Sequence, residues 1–410
     1  MLEISKEWIE KIEKQYGQSF YLLDTKIFKQ NFSELQEAMC HYYQKTIISY
    51  SYKTNYIPRL CSIVNELGGY AEVVSDMERE LALRLGVPHN KIVFNGPYKK
   101  REAIEQAVLA GEIVNIDSRY DFSIVRNLVQ KNKNSNFAIG IRCNFDVNDD
   151  VCSRFGFDIE SAEFRKVLDE IENIPNLRVN GLHCHFASRN INVWKNKVTG
   201  MLDLIRKLSS LSLDYISVGG GIFGKMEESL KQQFTGSIPD FSEYAEVIAK
   251  SFAEYFEGYA EDRKPILFLE PGSALAGDAM RFVAKTVSIK NIRGKSIATL
   301  LGSVYNINPT LNGKNPPIQI VQFGEQQEQP YTDLDFAGYT CIESDYLYRG
   351  YSGNLAVGDY VVFGNVGSYS VVLKPPFILP NFPILELDED EMKMIKRAEV
   401  FEDIFGSYVL

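Results

Sequence analysis

Histidine is scarce in this chain, and closely paired cysteine is missing from it. It carries four histidines and six cysteines in 410 residues, and no Cys-x-x-Cys pair. Cys40, Cys61, Cys143, Cys152, Cys184 and Cys341 are scattered singly, which supplies neither a zinc site nor a disulfide framework. They read as reduced thiols of a cytoplasmic protein, and no metal is expected. No apolar run is long enough to span a bilayer, so no membrane partner is expected. The stretch Met1 to Trp8 is charged and lacks the apolar core of a signal peptide. Basic charge is short as well. Asp and Glu outnumber Lys and Arg by 54 to 44, a net charge of −10. Nothing here neutralises phosphates over a wide surface, which argues against a nucleic-acid partner.

What is present is a rhythm. The chain is too long for one ordinary core and implies a large domain with a smaller one. From Thr46 onward strands and helices alternate. Strands are expected at Thr46–Lys53, Tyr70–Ser75, Lys91–Asn95, Ile113–Asp117, Phe137–Asn144, Arg178–Phe186, Tyr215–Val218 and Ile266–Leu269. Helical patterns separate them, for example Met77–Leu85, Arg101–Leu109, Ala162–Ile171, Val198–Leu208 and Phe241–Phe256. Eight such strands are the count for a closed parallel (β/α)8 TIM barrel, an α/β fold. After about Ala276 short strands between turn residues predict an antiparallel β domain: Phe282–Ile292, Ser296–Leu300, Ile318–Phe323, Tyr331–Ala337, Asp359–Phe363 and Tyr369–Leu373. Glu386 to Val400 reads as a charged helix with an apolar stripe. The expected organisation is a segment 1–25 packing with the β domain, a barrel over 26–275, and the β domain with a terminal helix over 276–410.

Four strand ends hold the informative residues. Lys53 ends the first strand, in Ser51-Tyr52-Lys53-Thr54-Asn55. In a barrel of this kind that end faces the active site. Desolvation there lowers a lysine's pKa and makes its amine a nucleophile for a Schiff base. His185 ends strand six, Gly219-Gly220-Gly221 end strand seven, and Glu270-Pro271-Gly272-Ser273 end strand eight. Three glycines expose backbone N–H groups to an anion, and the loops after strands seven and eight often hold a phosphate. Each feature has a plain alternative: a solvated lysine, a tight turn, a barrel-end ion pair, a core histidine. Together in one barrel mouth they fit pyridoxal 5′-phosphate (PLP). Lys53 would join the aldehyde, the glycines would hold the phosphate, Glu270 would pair with the pyridine nitrogen, and His185 would stack on the ring.

The chain resembles the fold-type III PLP decarboxylases, the diaminopimelate and ornithine decarboxylase family, along nearly its whole length. The pieces that carry the likeness are Tyr52-Lys53-Thr54-Asn55, Ser153-Arg154-Phe155-Gly156, His183-Cys184-His185-Phe186-Ala187-Ser188, Gly219-Gly220-Gly221, Glu270-Pro271-Gly272, Gly338-Tyr339-Thr340-Cys341 with Asp345, and Gly367-Ser368-Tyr369. The resemblance implies an alanine-racemase-like barrel plus a β domain. It also implies a head-to-tail homodimer with shared active sites, into which Cys341 and Asp345 of one subunit reach from the other. It further implies that Ser188, Gly220 and the backbone around Gly272, with Gly219, Gly221, Pro271 and Ser273 beside them, support the cofactor. Tyr369 would contact phosphate or substrate, and Cys341 would protonate the carbanion left by CO2. Diaminopimelate decarboxylases carry an arginine where this chain has Ser273, and another four residues before the position of Tyr305, where Leu301 stands. Bidentate arginines clamp a distal carboxylate. Their loss points to an amino acid or amino-acid conjugate other than diaminopimelate, with Glu343 and Asp345 as candidate contacts for a cationic group. A racemase or epimerase of the same fold and a regulator that has lost PLP are the alternatives.

Overall fold

The computed structural model describes residues 4–325, 328–388 and 391–409. The chain falls into two compact units. One is Gln30–Gly224 with Ile238–Ala274; the other is Met1–Lys29, Lys225–Ser237 and Leu275–Leu410.

In the first unit eight parallel strands close on themselves: Thr46–Ser51, Tyr70–Val73, Ile92–Phe94, Ile113–Ile116, Phe137–Asn144, Leu177–His183, Tyr215–Ser217 and Ile266–Leu269. They are numbered one to eight in that order. Strand one pairs with strand two through Ser49 and Tyr70, and with strand eight through Ile48 and Leu269, which shuts the barrel. Runs such as Ile92-Val93-Phe94 are buried on both faces, as helices outside and side chains inside require. The expected helix over Phe241–Phe256 is two helices, Phe241–Val247 and Ala249–Tyr255, divided at Ile248, whose ψ of −72° turns the chain.

The barrel interior is filled, and glycine decides how. A Cβ on Gly181 would overlap the Tyr215 ring, and one on Gly140 would overlap the Tyr215 hydroxyl and the Asn115 amide. Strands five and six therefore leave room for a large side chain from strand seven. Tyr215 is buried, and its hydroxyl donates to Asn115 Oδ1 at 2.7 Å.

The second unit is a nine-stranded sheet. Its core gathers Ile9 and Ile12 of helix Lys6–Tyr16 with Phe20, Leu22, Val283, Val362 and Leu385. The strand Ser19–Asp24 lies between Met280–Ile292, antiparallel to it, and Ile384–Asp388, parallel to it. Lys295–Leu300 and Tyr331–Ala337 are also parallel, so the sheet is mixed and not purely antiparallel.

Two expectations fail here, and one strand goes unforeseen. Glu386–Val400 is not a helix. Its described part forms strands Ile384–Asp388 and Glu391–Lys396, and residues 389–390 lie outside the described residues. Charged residues favour helix locally, but the open edge of Ser19–Asp24 offers pairing and a buried place for Leu385, and tertiary packing overrides propensity. Tyr369–Leu373 is a run of turns and not a strand. Tyr346–Gly353, which carries no clean alternation, is a strand against Tyr331–Ala337.

Gly181→Ala is expected to destabilise the chain by about 1–3 kcal/mol, because the added methyl has nowhere to go but into the Tyr215 ring. Denaturant unfolding checks this, and an unshifted midpoint would contradict the packing described.

Candidate active site

Lys53 leaves strand one in a single 3-10 turn, Tyr52–Thr54, with Tyr52 and Thr54 buried on either side. The loop after strand eight locks onto that turn. Ser51 N–H donates to Pro271 O at 3.1 Å, and a Cβ at Gly272 would overlap the Thr54 hydroxyl. Only glycine allows the two strand ends to approach so closely.

The Lys53 side chain is 32% exposed, and its ammonium donates to Glu72 Oε2 at 2.5 Å. Ser51 Oγ donates to the same oxygen at 2.6 Å. Burial works to lower the pKa of the Lys53 amine, but the charges of Glu72, Glu270 and Glu78 outweigh it and hold the amine above the ordinary lysine range. The expected fall in pKa is therefore corrected: beside these carboxylates the amine is held protonated.

Glu270 is buried beyond strand eight and takes hydrogen bonds from three elements. Asn95 Nδ2 donates to Oε1 at 3.0 Å, Ser217 Oγ donates to Oε1 at 2.7 Å, and His183 Nε2 lies 3.2 Å from Oε2. Burial opposes ionisation of this carboxyl, but His183 and then Lys53 outweigh it, and its pKa is lowered. Asn95 Nδ2 also reaches Glu72 Oε1 at 3.1 Å, and Asn115 Nδ2 donates to Asn95 Oδ1 at 2.8 Å. A continuous polar chain thus runs from Tyr215 through Asn115 and Asn95 to both carboxylates and Lys53.

His185 accepts from the Gly220 N–H at Nδ1, 3.0 Å away. Burial, then the cations of Lys53 and Lys197, push its pKa well below the usual imidazole range, so the ring is neutral at pH 7. The Gly219 N–H donates to Ser217 Oγ at 3.3 Å. Two of the three glycine amides expected to face an anion are therefore turned into the protein. What the glycines provide is shape. Gly219 and Gly221 have φ of +66° and +94°, and a Cβ at any of the three would press on the carbonyls of Cys184, Glu270 or Ser188. Ser188 lies half-buried beside them, its Oγ accepting from the Asn190 N–H at 3.3 Å. Ser273 Oγ accepts from Arg189 Nη2 at 3.3 Å.

Sequence reasoning missed Glu72, Asn95, Asn115, Ser217 and His183. Their signal was available: each is a polar residue in or just after an otherwise apolar barrel strand. The Ser153-Arg154-Phe155-Gly156 piece has a structural part to play, since Phe155 lies under the guanidiniums of Arg142 and Arg154, at 4.6 and 4.2 Å.

The remaining candidates belong to the other unit. Cys341 and Glu343 are exposed on the loop that follows Tyr331–Ala337. Asp345 is buried, and it corrects the expectation of a substrate contact. Its Oδ1 accepts from the Ser303 hydroxyl at 3.0 Å and the Val304 N–H at 2.7 Å, and its Oδ2 from the Thr340 hydroxyl at 2.5 Å. It ties the loop down. Tyr369 has φ of +66°, a rare conformation for a residue with a Cβ.

Glu72→Gln is expected to lower the pKa of Lys53, since it removes the nearest carboxylate. Acetylation of Lys53 in the cofactor-free chain, followed by peptide mass spectrometry against pH, should then rise at lower pH than in the wild type. Coincident profiles would remove Glu72 as the group that holds the proton.

Comparison with known proteins agrees with this geometry. Residues 28–277 match the pyridoxal-binding domain of pyridoxal-dependent decarboxylases. The diaminopimelate decarboxylase of Aquifex aeolicus is 23% identical over 413 residues, 97% of this chain and 93% of that protein. That of Methanocaldococcus jannaschii is 24% identical over 428 residues, 98% of this chain and 93% of its own length. Among solved structures, a diaminopimelate decarboxylase of M. jannaschii has a TM-score of 0.86 at 23% identity, covering 98% of this chain and 94% of that one. A lysine/ornithine decarboxylase of Vibrio vulnificus complexed with putrescine has a TM-score of 0.77 at 18% identity, covering 94% of this chain and all of that one (100%). These likenesses agree on an alanine-racemase-like barrel with a β domain. With a family match over more than half its length, and a lysine and a buried carboxylate side by side at the barrel's mouth, the chain belongs to the pyridoxal-dependent decarboxylases and uses PLP.

Proposed function

We propose that this enzyme removes the α-carboxylate of an amino acid or amino-acid conjugate, releasing CO2 and an amine. The observation that carries the reading is the placing of Lys53 and Glu270 at the ends of two paired strands, one an ammonium and the other a buried carboxylate within hydrogen-bond reach of Asn95, Ser217 and His183. The residues fit PLP. Lys53 would hold the aldehyde carbon covalently, its Nζ positioned by the hydrogen bond to Glu72. Glu270 would keep the ring nitrogen protonated, for which an ionised, desolvated carboxylate is suited. His185, being neutral, would lie against the ring without repelling its positive charge. Ser188 and the backbone at Gly272 and Ser273 would receive the phosphate, with Gly219, Gly220, Gly221 and Pro271 setting the shape. When bound, PLP supplies a sink for the electron pair that stays on Cα as CO2 leaves.

Cys341 would deliver the proton to Cα, Tyr369 would touch phosphate or substrate, and Glu343 would meet a cationic group of the substrate. We further propose that these act across a head-to-tail homodimer, which is supported by the exposure of Cys341 and Glu343 on their own chain. A reducing, cytoplasmic setting is supported by six free thiols. Among the described residues no helix is long and apolar enough to cross a membrane.

Lys53→Ala should abolish both covalent PLP and release of CO2 from carboxyl-labelled amino acids, D and L, free and conjugated; a fully active variant would overturn the assignment. Cys341→Ala should slow amine formation far more than it weakens PLP binding. Unchanged turnover would remove Cys341 from the chemistry.

A further inference from the structure

The charges around the barrel mouth are divided. Glu72, Glu78 and Glu270 gather around Lys53. The loop and helix after strand six carry cations that lack a counter-charge. Elsewhere in the barrel the buried cations are matched: Arg142 pairs with Asp117 at 3.0 Å and Lys99 with Asp121 at 2.6 Å. Arg189 and Lys197 are not. Among the described residues neither makes an ion pair. Lys197 is buried, its ammonium 3.2 Å from Gly220 O and 3.5 Å above the Trp194 ring. Arg189 is half-buried. Its guanidinium lies over Phe223 at 5.3 Å and offers one donor to Ser273 Oγ, and its carbonyl is pinned by the Tyr244 hydroxyl at 2.5 Å. A guanidinium has five N–H donors, and a desolvated cation without a partner is costly.

From this arrangement we propose that Arg189, held against Ser273 and backed by Lys197 beneath Gly220, is the anion-binding group of this site. The guanidinium reaches from the loop after strand six to Ser273 in the loop after strand eight, and its fork is suited to an oxyanion. The oxyanion is either the phosphate of PLP or an acid group on the substrate remote from the reacting carbon. In the second case the substrate is an acidic amino acid, and the arginine absent at position 273 is replaced in space by one from the loop after strand six. The inference rests on the PLP reading above.

The test uses the full-length chain resolved from its cofactor, titrated with PLP and with pyridoxal, which lacks the phosphate. It also uses the reconstituted holoenzyme, titrated with 2-aminoadipate and with norleucine, which differ by a side-chain carboxylate, following the cofactor absorbance. If the anion is the cofactor phosphate, Arg189→Gln weakens PLP roughly tenfold or more and leaves pyridoxal unchanged. If it is a substrate acid, both cofactor forms bind as before, and the preference for 2-aminoadipate over norleucine falls roughly tenfold. In either case Arg189→Lys restores part of the loss. Equal weakening of PLP and pyridoxal would mark a merely structural arginine and overturn the proposal, as would wild-type behaviour in both arms. A wild-type chain that takes up neither PLP nor pyridoxal would overturn the cofactor reading, and this inference with it.

Discussion

An ionised carboxylate buried in a barrel survives only if donors surround it, and Glu270 sets that condition here. Asn95 from beyond strand three, Ser217 from strand seven and His183 from strand six all turn toward it. Each would otherwise be a polar group in an apolar interior, with a desolvation cost of its own. The network therefore fixes the relative register of strands three, six, seven and eight at one end of the barrel. Its second carboxylate, Glu72, ties in strands one and two and gives Lys53 its partner.

That network also sets the electrostatics of the chemistry. Lys53 is held protonated by the carboxylates around it, while burial and nearby cations keep His185 neutral. Glu72, Glu78 and Glu270 thus gather around Lys53, while Arg189 and Lys197 lie on the loop and helix after strand six. This polarity is suited to a molecule with a cationic ring at one end and an anion at the other. Glycine at 219, 220, 221 and 272 lets the backbone come close enough to shape the space, which a Cβ at any of them would fill.

The second unit shows the limits of local pattern. The N-terminal strand Ser19–Asp24 sits in the middle of a sheet otherwise built from residue 280 onward, with partners on both sides. Its edge recruits Ile384–Asp388 into a strand although the charged sequence around it favours helix. Asp345 likewise took its meaning from its surroundings. As a motif residue it suggested a substrate contact; buried among Ser303, Val304 and Thr340 it holds a loop.

Apolar strands alternating with helices, and the residues that end them, were legible from the sequence. All eight barrel strands, the barrel class, Lys53, His185, the glycines and Glu270 could be read there, because each depends on local pattern or on position at a strand's end. What only the tertiary structure decided was how those residues are charged and what they touch. Glu72, Asn95 and Ser217 are separated by tens of residues and meet only once the barrel closes. The protonated Lys53 and the turned-in amides of Gly219 and Gly220 follow from that meeting, since a pKa or a free N–H depends on neighbours that the linear chain does not name.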